Sequence, residues 1–426
     1  MYSTEQIHNR MRFLEYEITK CCLRGTDMVP QDEDLPYIRS LSLEIFDLSK
    51  GRNEVCFDKL GRPSIFVNFF CDAKARLTYL SNNGILFSTS GLFTADAKLA
   101  DIAPAFIVGN KAVRGFRLGK YSDVRVGEKN YHMSLYGLDP AYGGGGHTQS
   151  YSGIAAECDR INAGAFAEGN SVHNITRAEF AYLGLLAARE GFQCRGADYY
   201  GKSYLVQSEQ GDPCGYKYNG QYVHVKTGSG TLAWYHDGSP FGVWGMRGPT
   251  FMIEHGFCTD SGELLFIPNN DAATMTAAQL AETSEEYKAL LEDGSFVARG
   301  GVGATMKYDY AATPPSTGSA GFEICTALTH QQTTGDPYGA QSLTTLAARD
   351  GVTIPLYLRL MLAAPLLTGT PTGTVYMRNT QGARLISGGG AYWGTASYSG
   401  FGYSNGDNWT FGYAVNVGSG RAASLM

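Results

Sequence analysis

Residues 386–426 hold ten glycines and eight aromatic side chains, with no Lys, Glu or Gln, a single acid and a single base. A disordered tail is poor in aromatics and rich in charge or Pro; this stretch is the reverse, so it is expected to fold. Its central run, Gly-Ala-Tyr-Trp-Gly-Thr-Ala-Ser-Tyr-Ser-Gly-Phe-Gly-Tyr-Ser-Asn-Gly-Asp over 390–407, is crowded with the residues that recognition loops use. Tyr and Trp give large amphipathic contact area at low entropic cost, while Ser, Gly and Asn adapt their hydrogen bonds. The candidate ligand-binding residues are Ala391, Tyr392, Thr395, Ser397, Tyr398, Phe401, Tyr403, Asn405, Asp407 and Asn408. Gly, Ser and aromatics also fill ordinary β domains, so each ring has a competing place in the core. Alternate positions of a strand can be buried, which assigns Trp393, Trp409, Phe411 and Val415 to the interior. Glycines between the other rings should prevent a continuous strand from hiding them, so most are expected at the surface.

The rest of the chain agrees with a loop-rich, β-rich protein. Gly is 54 of 426 residues and charged residues are 17%, against usual shares of about 7% and about 25%. The length allows two or three domains. A net charge of −6 and no run of Lys or Arg leave no electrostatic footprint for nucleic acid or for an anionic membrane. The opening Met-Tyr-Ser-Thr-Glu-Gln-Ile-His lacks the basic start and apolar core of a secretory signal. No window approaches a membrane span, so the expectation is a product made in a cytoplasm without membrane insertion. Nine cysteines, odd in number and without Cys-x-x-Cys or zinc spacing, read as buried small hydrophobes, with a structural disulfide as the alternative.

Along the chain, Ser-Thr-Glu-Gln at 3–6 is a capping-box pattern, and Ile7, Met11, Leu14, Ile18 and Cys21 continue one helical face until Gly25. Such a helix needs a partner surface: its own domain, copies of itself, or a larger assembly. Residues 41–46 read as a short β-like run, and residues 1–60 as an adaptor. From Pro63 onward short apolar runs broken by Gly, Asn and Asp favour irregular β structure. Helices are expected at 154–163, from Thr176 to Gly191 with Glu179 completing the cap, and at 277–291.

Four signatures then line up: Thr-Arg-Ala-Glu-Phe-Ala-Tyr at 176–182, Phe-Gly-Val-Trp-Gly-Met-Arg-Gly at 241–248, Ser-Gly-Gly-Gly-Ala-Tyr-Trp at 387–393 and Gly-Arg-Ala at 420–422. In order and spacing they resemble the formylglycine-generating enzyme and sulfatase-modifying-factor family. With Gly-Phe-Gln-Cys-Arg-Gly-Ala-Asp-Tyr-Tyr-Gly-Lys at 191–202 and Ile-Pro-Asn-Asn-Asp-Ala at 267–272, the chain is similar to the variable proteins of diversity-generating retroelements, among which phage tail proteins are prominent. The resemblance implies an α+β, C-type-lectin-like fold of the formylglycine-generating enzyme type over residues 61–426, with the diversified segment at about 386–426. It implies scaffold roles for Trp244, Trp393, Trp409 and Arg421. It further implies a receptor-binding tail protein of a virion, a homotrimer that meets the tail or baseplate through its N-terminal region and a host-surface protein or glycan through its C-terminus. Retroelement mutagenesis at template adenines turns an Asn codon AAC into codons for Tyr, Ser, Phe, Asp, Gly, Ala or Thr, never Lys, Glu, Gln, Met or Trp; residues 386–425 lack the first four and keep two tryptophans.

The chain departs from the family at Gly245, where an acid is usual, at Pro249, where Asn is usual, and at Gly420, where Phe is usual. The enzyme branch carries its catalytic cysteines late in the domain, and no cysteine follows Cys325. Without a thiolate or metal ligand that chemistry cannot run, so binding without catalysis is expected. The alternatives are a sulfatase-modifying-type oxidoreductase and a host-encoded cell-surface variable protein. No cofactor is expected. Asn269, Asn270 and Asp271 offer oxygens of the kind Ca²⁺ takes, with a side-chain-capped turn as the default. His147, after four glycines, reads as a surface loop because no Gly-Lys-Ser follows, and His224, His236 and Asp237 read as structural.

Overall fold

The computed structural model describes residues 3–71, 77–79, 85–87, 102–143, 149–300, 303–331, 336–379, 382–390, 399–407, 409–413 and 418–426. Helix α1, Thr4–Arg24, starts at the expected box: the Ser3 hydroxyl accepts from the Gln6 amide and the Gln6 side chain returns to Ser3. Met11, Leu14, Ile18 and Cys21 are buried along one face. The expected β-like run at 41–46 is instead the middle of helix α2, Leu35–Ser49. There the alternation of Leu41, Leu43 and Ile45 loses to the helical spacing of Ile38, Leu41, Ile45 and Ser49, which buries against α1. Strand Asn53–Phe57 pairs antiparallel with strand Pro63–Phe70 across residue 60. Residues of α1 and α2 share one apolar cluster with Tyr121, Val225, Trp234 and Trp244. The two N-terminal helices therefore pack on residues 121–244 of the chain.

Two sheets organise the fold. The smaller runs Asn53–Phe57, Pro63–Phe70, Gly115–Gly119, Ala422–Leu425, His173–Asn174, so the last strand of the chain is inserted between two earlier ones. The larger has twelve strands. At its middle Phe251–Asp260 lies beside Ala383–Gly390, which lies beside Ser399–Gly406 and then Thr374–Met377. Helix α3, Tyr151–Asn162, begins three residues before the expected Ile154 because Ser150 supplies its cap. Helix α4, Arg177–Glu190, has the Thr176–Glu179 capping box and ends at Gly191 in the left-handed region (φ +63°). Buried on nearly every side, α4 is a central core helix rather than a half-exposed one; Phe180, Leu183 and Leu185 join the main cluster with Phe257, Phe266 and Ile386.

No helix forms at 277–291. Lys288–Leu290 is a strand between Glu263–Phe266 and Phe296–Ala298, and sheet pairing with burial of Tyr287, Ala289 and Leu290 overrides a weak local propensity. The architecture is mixed α/β, strand-rich and loop-rich with few helices. No helix of the described residues is long and apolar enough to cross a membrane.

His255, in strand Phe251–Asp260, is wholly enclosed, and its Nε2–H donates to the Tyr151 carbonyl at 3.3 Å. Burial lowers its pKa from 6.5 to about 3. A depressed folded-state pKa contributes stability that is present above 6.5 and lost as pH falls toward 3. Urea unfolding at pH 6.5 and 5.5 should show the wild type losing about 1 kcal/mol more than His255→Gln over that interval. Equal losses in both proteins would contradict this assignment.

Candidate functional site

The C-terminal segment enters the large sheet as two antiparallel strands, Ala383–Gly390 and Ser399–Gly406, with Ser387 opposite Asn405, Gly388 opposite Ser404, and Gly390 opposite Ser399 after a register shift. Gly388 is required by closeness: a Cβ there would stand 2.2 Å from Glu254 Oε1 and 2.8 Å from the Phe180 ring. At Gly390 it would stand 2.4 Å from the Gly248 amide nitrogen. The glycine-rich run thus lets the strand press against α4 and the 245–249 turn.

Buried polar groups hold strand Ser399–Gly406 at both ends. Asp198 Oδ2 accepts from Arg247 Nε at 2.6 Å and from Ser399 Oγ at 2.8 Å, and its Oδ1 accepts the Tyr204 amide at 2.8 Å. Arg177 Nη2 donates to Ser404 Oγ at 3.0 Å while Nη1 donates to Glu254 at 2.9 Å. Beyond the strand, Arg378 pairs with Asp407, whose amide donates to Asn405 Oδ1 at 3.0 Å.

Of the candidate ligand-binding residues, Ala391, Tyr392, Thr395, Ser397, Tyr398 and Asn408, and with them Trp393, lie outside the described residues. Phe401 and Tyr403 correct the expectation of surface rings. Phe401 is 3% exposed with its ring 5.6 Å from Phe180, and Tyr403 is 2% exposed with its ring 5.8 Å from Phe251. Glycines did not break the strand; paired on both sides, it is interior to the sheet. Asn405 is half-buried and donates to the Tyr403 hydroxyl at 3.1 Å, and Asp407 is buried against Arg378. Trp409 packs edge-on to Phe251 at 5.3 Å. Trp244 is fully buried and donates from its indole to the Ser229 carbonyl at 2.8 Å. Arg421 donates to the carbonyls of Gly119 and Trp244, each at 2.8 Å.

The other candidates resolve as structure. Asn270 is buried; its Oδ1 accepts from Thr176 Oγ1 at 2.6 Å and its Nδ2 donates to Glu179 at 3.1 Å and to the Ala105 carbonyl at 3.0 Å. It ties the 268–272 turn to the cap of α4. His224 Nδ1 lies 3.1 Å from Asp139, His236 Nδ1 accepts the Val243 amide at 2.8 Å, and Asp237 pairs with Arg52. His147 lies outside the described residues. Among the described residues no three His, Cys, Asp or Glu side chains gather to hold a metal. No disulfide forms among the described residues, and burial pushes the thiols of Cys56 and Cys194 up to about 12 and that of Cys325 to about 11. A cleft of about 660 Å³ opens elsewhere, lined by Arg52, Phe69, Tyr182, Phe192 and His236.

Asp198, Arg247, Ser399 and Ser404 were not singled out from the sequence as site residues, although Asp198 and Arg247 stand inside the motifs that carry the family resemblance. What the motifs concealed was the pairing, since 49 positions separate Asp198 from Arg247 and 201 separate it from Ser399. No protein-family model matches the sequence, and no curated protein is significantly similar to it.

Removing one partner of a buried ion pair costs about 3–5 kcal/mol. Asp198→Ala should therefore lower unfolding free energy by about that amount, and Ser399→Ala, which leaves the ion pair intact, by about 1 kcal/mol. Chemical denaturation of the two variants checks the order; equal losses would remove Asp198 as the anchor.

Proposed function

We propose that this is a receptor-binding protein of a phage tail, a retroelement-diversified variable protein on a C-type-lectin-like fold, which displays residues at the end of its C-terminal hairpin to a host-surface protein or glycan. The observation that carries the reading is the frame around that segment. Residues 391–398 join two strands whose adjoining ends are fixed by the Asp198–Arg247–Ser399 contacts and by the approach of Gly390 to Gly248. A frame fixed by buried groups outside the segment would hold its own backbone while codons within the segment changed. Tyr392 and Tyr398 would bury apolar area on a partner, and Thr395 and Ser397 would set hydrogen-bond specificity.

On this reading the protein binds and does not catalyse. The N-terminal helix pair would meet the tail; although its inner face is committed to the core, Phe13, Leu43 and Phe46 remain exposed, Leu43 by 68%. Trimeric display would strengthen weak single contacts through effective concentration.

The test is deep sequencing of codons 386–426 in a population descended from one clone, with inspection of neighbouring DNA for a near-copy. Substitutions should concentrate at Tyr392, Thr395, Ser397, Tyr398 and Asn408, match adenines in the copy, and spare Trp393, Phe401, Tyr403 and Trp409. Uniform codons and no near-copy would overturn diversification and leave a protein of fixed specificity.

A further inference from the structure

Beside the hairpin lies a second concentration of rings, contributed by residues 199–222. The 199–204 loop is closed by paired backbone bonds between Tyr199 and Lys202, 2.9 and 3.0 Å, and sets the rings of Tyr199 and Tyr204 edge-on at 5.8 Å. Gly201 lies against the adjoining strand Gln221–Val225: a Cβ on it would stand 3.2 Å from Val225 Cγ1 and 3.7 Å from the Tyr222 carbonyl. That strand pairs with Pro213–Tyr218, placing Lys217 opposite Tyr222 with its ammonium 4.2 Å from the ring centroid. Tyr204 and Tyr222 are 38% and 41% exposed.

Charge and surrounding chemistry narrow the occupant. Arg195 and Glu209 neutralise each other, and Lys202, Lys217 and Lys226 outnumber Asp212 and the Asp139 carboxylate that lies against Cys214 and His224, so the patch is cationic on a chain whose net charge is −6. The centre of a protein–protein interface is depleted of Lys. Here lysines interleave with the rings, and the rim carries exposed Gln207, Gln210, Asn219 and Gln221. Amide side chains donate and accept at once, which suits neighbouring hydroxyls, and the negative face of a tyrosine ring suits the C–H face of a sugar.

We propose that Tyr199, Tyr204 and Tyr222, with Lys202 and Lys217, form a fixed platform that binds an anionic polysaccharide. Its position rests on the reading of the hairpin as a display surface; its chemistry does not. Asp198 joins the two, since one carboxylate holds the Tyr204 amide through Oδ1 and Ser399 through Oδ2. A surface polysaccharide gripped by the platform would be presented beside the hairpin, so general adhesion would come from the constant face and discrimination from the variable one.

The experiment is affinity electrophoresis of the full chain in native gels containing polygalacturonate, dextran or no polymer, at physiological salt. Polygalacturonate should retard the wild type and dextran should not. Tyr204→Ala with Tyr222→Ala should weaken the retardation by about tenfold at unchanged thermal midpoint, because both rings are exposed, and Lys202→Gln with Lys217→Gln should weaken it likewise. Absence of retardation overturns the proposal, as does full retardation of the tyrosine double variant, which would mean charge attraction alone. Loss of retardation in a Tyr392→Ala, Tyr398→Ala variant with the platform intact would move the polymer to the hairpin, overturning the platform while leaving the display reading in place. Retardation that needs the platform rings, in a chain whose 386–426 codons prove uniform, would keep the platform and remove the display reading.

Discussion

The Arg177 guanidinium is the group around which the molecule is assembled. Fully buried, it donates to Glu254 at 2.9 Å, to the carbonyls of Met361 and Leu362 at 2.7 and 3.0 Å, and to Ser404 at 3.0 Å. Taking a cation out of water costs several kcal/mol, offset only when geometry and hydrogen bonding are nearly complete. Arg177 also begins α4, where the helix dipole disfavours positive charge, so Glu254 carries a double demand. Burial pushes the Glu254 carboxyl up to about 7 while Arg177 pulls it down. Among the described residues its Oε1 has no hydrogen-bond partner, and it faces Gly388. The helix, the central strand, the 356–364 segment and the hairpin are thereby fixed to one another through one guanidinium.

The same economy recurs at the C-terminus. Arg421 places the final strand by bonding to Gly119 and Trp244, while its backbone amide donates to Asn174 Oδ1 at 2.9 Å. Strand Ala422–Leu425 then sits between Gly115–Gly119 and His173–Asn174. Buried polar contacts of this kind contribute little net stability compared with apolar packing, but they are unforgiving of displacement. That property suits a frame whose job is to stay still.

The sequence made the helical parts legible wherever cap and face agreed, as at Ser3–Gln6 and Thr176–Glu179, because those signals are local. It misled where a local pattern was ambiguous. Leu41 and Ile45 satisfy both a period of two and a helical spacing, and only the partner surface on α1 decides between them. The run at 277–291 has helix-forming residues, yet Lys288–Leu290 finds strand partners on both sides. Of the candidate site, Trp244, Trp409 and Arg421 are buried. The burial of Phe401 and Tyr403 could not be read, since it depends on rings remote in sequence, Phe180 of α4 over Phe401 and Phe251 and Tyr376 beside Tyr403. The Asp198–Ser399 contact joins residues too far apart in sequence for spacing to reveal.

The burial of Phe401 and Tyr403 bears on what kind of variation the proposed display could carry. Codon arithmetic alone would let both positions become Ser, Asp or Gly. Truncating a large buried ring costs about 3–5 kcal/mol, a large part of the total stability of about 5–15 kcal/mol that a domain has. A carboxylate at Tyr403 would also have to be buried between Phe251 and Tyr376, with ring centroids 5.8 and 6.0 Å away, an aromatic surround that compensates a charge poorly. Most members of a library randomised there would fail to fold, so a template that diversified these codons would waste its output. Variation compatible with this frame must fall between the two strands or beyond Asp407, and the glycines at 388, 389, 390 and 400 mark its border. Gly388 cannot take a Cβ, and Gly389 and Gly400 hold positive φ of +84° and +95°, which disfavours the side chains that mutagenesis would supply.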